Sequence, residues 1–149
     1  MTPEDKNLVR ETFAQIVPIA DQAAAIFYGR LFEVAPHYRP LFKSNMQEQG
    51  KKLMQMIAVA VANLDNLVAV VPAVQKLGQR HAGYGVQAAD YDIVGATLLW
   101  TLEQGLGAAF TAEVKQAWTN VYSVLADTMK QAAYAPQPVY EDGNIGLLS

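Results

Sequence analysis

Val71-Pro72-Ala73-Val74-Gln75-Lys76-Leu77-Gly78-Gln79-Arg80-His81 is the stretch on which the reading of this chain turns. Val74, Leu77 and His81 stand three and four residues apart, the spacing that puts side chains on one face of an α-helix. The imidazole therefore shares a face with core-type aliphatic residues and is aimed inward. A buried neutral imidazole needs a partner, either a hydrogen-bond acceptor in the core or a metal centre. His81 is one of only two histidines, and the chain has no cysteine.

Helical signals continue on both sides. Thr2-Pro3-Glu4-Asp5 reads as a helix start, with a capping hydroxyl, proline in the first turn and carboxylates at the positive end of the dipole. Val9, Phe13 and Ile16 give that helix an apolar face up to Pro18. A second helix is expected from about Asp21, as its cap, to Val34, with Ala24, Phe27 or Tyr28, Leu31 and Phe32 inward. Pro36 disfavours helical geometry at Ala35 and ends it. Pro36 to Phe42 then forms a tight proline-bounded corner. A third helix, about Met46 to Asn63, carries Gln49, Leu53, Met56, Ile57 and Ala60 on one face.

Beyond the opening stretch, Gly83-Tyr84-Gly85 breaks the pattern, and Asp90 is expected to cap a helix with Val94, Leu98, Leu102 and Leu106 inward. That helix should end near Gly105 and Gly107. Thr111 caps the last helix, whose stripe is Val114, Trp118, Val121, Tyr122, Leu125 and Met129. From Ala135 to Ser149, prolines and glycines forbid a long helix, so residues 135–149 are read as a flexible tail on a domain of residues 1–134. Strand signals are poor. Six or seven helices in one chain make an all-α domain.

Composition narrows the function. A chain of 149 residues buries roughly two-thirds of its unfolded surface as one domain. At 52% hydrophobic and 17% charged residues it suits a helical protein wrapped around something apolar, or a plain tight core. A net charge of −3 and scattered basic residues argue against nucleic acid as a partner. The absence of cysteine excludes disulfides, thiolate metal sites and cysteine catalysis. The polar start Met1-Thr2-Pro3-Glu4-Asp5-Lys6 is not a signal peptide, and Met54 to Val74 is interrupted by Asn63, Asp65, Asn66 and Pro72. A cytoplasmic protein without a membrane span is expected.

Dinucleotide and phosphate loops and the zinc-protease motif are missing, and His37 has no partner at metal-site spacing. One constellation remains. Gln49 and Leu53 lie one turn apart on one helix, and His81 follows thirty-two residues after Gln49 on another. A pocket between them would have an imidazole on one wall and an amide on the other, with an apolar lining. A haem needs such a set; a solvated Gln49 at a helix start is the other reading.

Several fragments together resemble the bacterial single-domain globins, the group that includes flavohaemoglobin haem domains and Vitreoscilla-type haemoglobin. They are Phe27-Tyr28-Gly29-Arg30-Leu31-Phe32, Pro36 through Leu41-Phe42, Asn66-Leu67 through Pro72-Ala73-Val74, Gln79-Arg80-His81, Tyr91-Asp92-Ile93-Val94-Gly95, and Ala117-Trp118 through Val121-Tyr122. Order and spacing match from the amino terminus to about Gln131, apart from a short deletion after Phe42.

The resemblance implies a globin fold of six to eight helices around haem b. It makes His81 the proximal iron ligand and Phe42 the aromatic wedged against the haem. Tyr28 becomes the distal tyrosine donating to dioxygen, Gln49 stands where many globins place a distal histidine, and Leu53 lies over the iron. Lys52 would reach a propionate or stay solvated, Tyr91 would lie near the proximal histidine, and Val94 would line the cofactor. Dioxygen, carbon monoxide and nitric oxide are the implied ligands, bound by a monomer or weak homodimer.

Flavohaemoglobins carry a glutamate late in the last helix; here Met129-Lys130-Gln131-Ala132-Ala133-Tyr134-Ala135 has no carboxylate. The His81 imidazole is then expected to donate to a backbone carbonyl and to release less electron density. The chain also stops where a flavin and nicotinamide domain would begin, so turnover is expected to need a separate reductase. Reversible dioxygen binding is the leading expectation. Nitric oxide dioxygenation with that reductase is the alternative, and gas sensing through the tail stands third.

Overall fold

The computed structural model describes residues 1–42, 45–70, 72–73 and 88–134. These residues form five α-helices and no strand: α1 (Pro3–Ile16), α2 (Ala20–Val34), α3 (Met46–Ala62), α4 (Ala88–Leu106) and α5 (Ala112–Tyr134). Short 3₁₀ turns occupy Val17–Ile19, Pro36–Leu41, Leu67–Val70 and Gly107–Ala109. Pro72 and Ala73 are helical, whereas His81 and the remainder of its expected helix lie outside the described residues, as does the tail expected over residues 135–149.

Local chemistry accounts for most of the boundaries. The Thr2 hydroxyl accepts from the Asp5 amide at 3.1 Å and the Asp5 carboxylate accepts from the Thr2 amide at 3.1 Å, a reciprocal cap at the start of α1. Asn45 caps α3 by accepting from the Gln47 amide at 2.7 Å. The Thr111 hydroxyl caps α5 by accepting from the Val114 amide at 3.2 Å. α2 ends at Val34 ahead of Pro36, as the proline requires. Gly107, with φ of +57°, turns the chain after α4 in a conformation that L side chains rarely adopt.

Two expected caps are corrected. Asp21 is the second residue of α2, not its cap; the Ala20 amide bonds the Val17 carbonyl, so a 3₁₀ turn runs into the helix and supplies a backbone partner. Asp90 is the third residue of α4, not its cap, because the helix already begins at Ala88 and the Asp90 carboxylate is taken by the Tyr38 hydroxyl.

α1 packs chiefly on α5, and α2 crosses both α3 and α4. One core joins Val9, Phe13, Ile16, Val61, Leu64, Leu102, Val114, Trp118 and Val121. Within it the Trp118 indole N–H donates to the Thr12 hydroxyl at 2.9 Å, and that hydroxyl donates to the Leu8 carbonyl at 2.7 Å. The buried indole N–H and the Thr12 hydroxyl are thereby both paired. A second cluster forms at the other end of α2, around Phe27, Tyr28 and Leu31. Gly50 allows α2 and α3 to meet, since a Cβ at Gly50 would stand only 2.9 Å from the Ala24 Cβ. That close crossing brings the residues of α3 onto the Tyr28 end of α2.

Candidate functional site

α2 turns both Phe27 and Tyr28 inward, so the choice between them left open by periodicity is not exclusive. Their rings meet edge to face at 5.0 Å. The proline corner brings Phe42 back to Tyr28 at 5.4 Å and to Phe32 at 5.5 Å, both edge to face. Such pairs add about 0.5–1.5 kcal/mol each beyond area burial. Leu53 from α3 and Ile93, Val94 and Leu98 from α4 close on the same cluster. Three helices and a corner thus build one apolar wall.

Tyr28 brings a phenol to that wall beside the Gln49 side chain of α3, and Tyr38 of the same cluster donates its hydroxyl to the Asp90 carboxylate. Burial pushes the phenol above its usual value, and the Gln49 hydrogen bond pulls it partly back. Tyr28 therefore stays neutral and keeps its proton at physiological pH. Gln49 itself is half-buried beside Gly50.

Also on α4, Tyr91 is buried at 4% exposure, and its carbonyl accepts from the Tyr122 hydroxyl at 2.6 Å. The Lys130 ammonium lies 5.9 Å from the Tyr91 ring centre and 4.0 Å from an Asp92 carboxylate oxygen. Burial, and after it the neighbouring Tyr91 and Asp92, push the Tyr122 phenol upward. These contacts were not legible in the sequence. Tyr122 stood on the inward stripe of its helix, but nothing in the spacing named the carbonyl it would meet.

Tyr28, Gln49, Phe42, Leu53 and Val94 come together, Tyr91 lies on the same helix as Val94, and His81 is outside the described residues. Lys52 is exposed and lines a separate cleft of about 240 Å³ with Gln55, Met56, Val59, Val70 and Ala73. His37, also exposed, sets its ring against Tyr38 at 4.5 Å. Among the described residues no three His, Cys, Asp or Glu side chains gather to hold a bare metal ion. Nor is any helix among them long and apolar enough to cross a membrane. A wall of aromatic and aliphatic groups bearing a neutral phenol and amide fits the face of a haem, whose iron needs no charged ligand on that side.

The sequence profile of the globin family matches residues 25–129. The chain is 30% identical over 145 residues to the neuroglobin of Dissostichus mawsoni, covering 88% of this chain and 91% of the relative. It is 32% identical over 129 residues to the flavohemoprotein of Vibrio cholerae, covering 85% of this chain and spanning about a third (33%) of that relative's length. Two solved structures superpose closely. One is a candidate nitric oxide dioxygenase of Rhodothermus marinus engineered into a carbene transferase (TM-score 0.81, 27% identity, 89% of this chain and 93% of that one). The other is a bacterial globin from Campylobacter jejuni (TM-score 0.78, 26% identity, 89% and 96%). With its helical topology, its aromatic corner and this family match, the chain belongs to the globin family. Membership implies haem-based binding of a diatomic gas.

Proposed function

We propose that this globin binds dioxygen reversibly at haem b, with His81 as the iron's protein ligand and Tyr28 and Gln49 as donors on the opposite face. The observation that carries the reading is Tyr28, buried among aromatic and aliphatic side chains with the Gln49 side chain beside it. Haem, when bound, supplies a ferrous iron that takes up a diatomic gas and polarises it. The chain's own work is to meet that polarity. A neutral phenol and amide aimed into a dry pocket act as fixed donors, each contributing about 1 kcal/mol. Phe42, Leu53 and Val94 exclude water and hold the macrocycle, Tyr91 stands on its proximal side, and Lys52 is assigned to a propionate. The globin unit of residues 1–134 carries this function, in the cytoplasm, without nucleic acid or membrane as partner.

The likeness to the Rhodothermus marinus protein, a candidate nitric oxide dioxygenase, favours one second reading. In that reading the same donors serve dioxygenation of nitric oxide, and an electron donor must return the iron to the ferrous state. Sustained nitrate formation with a reductase, beyond a single turnover, separates it from reversible binding.

The test is spectroscopic. Visible spectra of the ferric, reduced, oxygenated and carbon monoxide forms are recorded for wild type and His81→Ala. Stoichiometric haem uptake, with a five-coordinate ferrous spectrum that responds to oxygen and is lost or replaced without His81, is the expected result. Failure of wild type to take up haem, or unchanged binding by His81→Ala, overturns the assignment.

A further inference from the structure

Gly95 sits in the interior of α4, where glycine costs about 1 kcal/mol relative to alanine. The structure supplies the reason. A Cβ at Gly95 would stand 2.6 Å from Cε2 of Tyr122, so the phenol ring lies directly on bare helix backbone. One turn earlier, the hydroxyl of that same ring donates to the Tyr91 carbonyl at 2.6 Å. A helical carbonyl has a second lone pair beyond the one used by the helix ladder, and Tyr122 takes it. Gly95 provides the clearance and Tyr122 the bond, so the two fix the peptide that carries Tyr91. The Tyr91 ring is buried, with the Lys130 ammonium 5.9 Å from its centre.

We propose that Tyr122 is a positioning residue for Tyr91: through the Tyr91 carbonyl it sets the direction in which that side chain enters the interior, and Gly95 is the opening that permits it. The functional consequence rests on the reading of Tyr91 as a haem-side residue. Tyr122 does not touch the haem in this scheme. It acts through Tyr91, on the balance between ferric and ferrous iron.

The experiment uses the full haem-loaded chain. Fluorine NMR of 3-fluorotyrosine-labelled protein in the diamagnetic ferrous carbon monoxide form reports Tyr91, its line assigned from Tyr91→Phe. The midpoint potential is measured for wild type, Tyr122→Phe, Tyr91→Phe and the double variant. Tyr122→Phe keeps the ring on Gly95 and removes only the hydroxyl. It is expected to move or split the Tyr91 line, to leave the Tyr28 line in place, and to shift the ferric–ferrous equilibrium about three-fold. That shift should vanish in the Tyr91→Phe background. Gly95→Ala, which displaces the ring, should move the Tyr91 line in the same way.

An unmoved Tyr91 line in Tyr122→Phe overturns the proposal, as does an equal shift in potential in both backgrounds. A Tyr91 line that moves while Tyr91→Phe itself leaves spectrum and potential unchanged upholds the positioning and removes Tyr91 from the haem side.

Discussion

A phenol and an amide differ from a charged pair in what they ask of their surroundings. Tyr28 is buried and its pKa is held above the ordinary value, so it can donate a hydrogen bond without carrying charge into the apolar wall. Tyr28→Phe is expected to raise the rate of oxygen release at least about five-fold, the equivalent of one hydrogen bond, with a smaller effect on carbon monoxide. Stopped-flow release of both gases checks this, and equal small effects would remove the donor role. Since burial raises the phenol's pKa, its donor form persists as pH rises past the ordinary tyrosine value of 10.0, and oxygen release should show no Tyr28 titration between pH 6 and 9. The types and order of these residues were legible in the sequence through their resemblance to globins. Their proximity was not, because the approach of α3 to α2 depends on how closely the helices cross.

Helix contacts are set by very small groups. Gly50→Ala puts a methyl 2.9 Å from the Ala24 Cβ, so either α2 or α3 must shift. The expected cost is about 1–3 kcal/mol, measured by denaturant unfolding, and it should shrink in an Ala24→Gly background. Thr12→Val leaves the buried Trp118 indole N–H without its acceptor and should cost about 1–3 kcal/mol. Trp118→Phe in the Thr12→Val background removes the stranded donor and should add less than Trp118→Phe does alone. The helices themselves read well from caps, prolines and apolar spacing, with the start of α1 and the Thr111 cap as the clearest cases. Asp21 and Asp90 read as caps because an acidic residue before an apolar run looks the same whether a preceding turn is helical or not. What precedes Asp21 is a 3₁₀ turn, and what claims Asp90 is Tyr38 from fifty-two residues away.

Across the molecule, α1 is tied down through its first two turns. Asn120 of α5 donates to the Asp5 carboxylate at 3.0 Å, and Lys6 and Arg10 pair with Asp65, beyond α3, at 3.2 and 2.6 Å. The Thr2 amide, then Asn120, hold the Asp5 carboxyl below its usual range, while the Lys6 and Arg10 hydrogen bonds do the same for Asp65. A folded-state pKa below the unfolded value gives stabilisation that is present above the unfolded value, near 3.8, and is lost as pH falls through the folded one. The thermal midpoint should therefore drop below about pH 4. Asp65→Asn should lower it at neutral pH and flatten that acid limb. Because Asp65 is solvent-exposed, high salt should shrink the difference between the variants.

The sequence by itself determined what depends on neighbours along the chain: helix starts and stops, inward faces, and the identities of Tyr28, Phe42, Gln49 and Leu53. Capping, proline geometry and 3.6-residue spacing act over one or two turns, so they are written locally. The tertiary structure alone decided which of those side chains meet. Tyr28 and Gln49 come beside one another where Gly50 lets two helices close. Tyr122 reaches the Tyr91 carbonyl, thirty-one residues away in sequence, because Gly95 leaves bare backbone beneath its ring. Hydrogen bonds form over about 3 Å, and helix packing sets the positions of the groups they join.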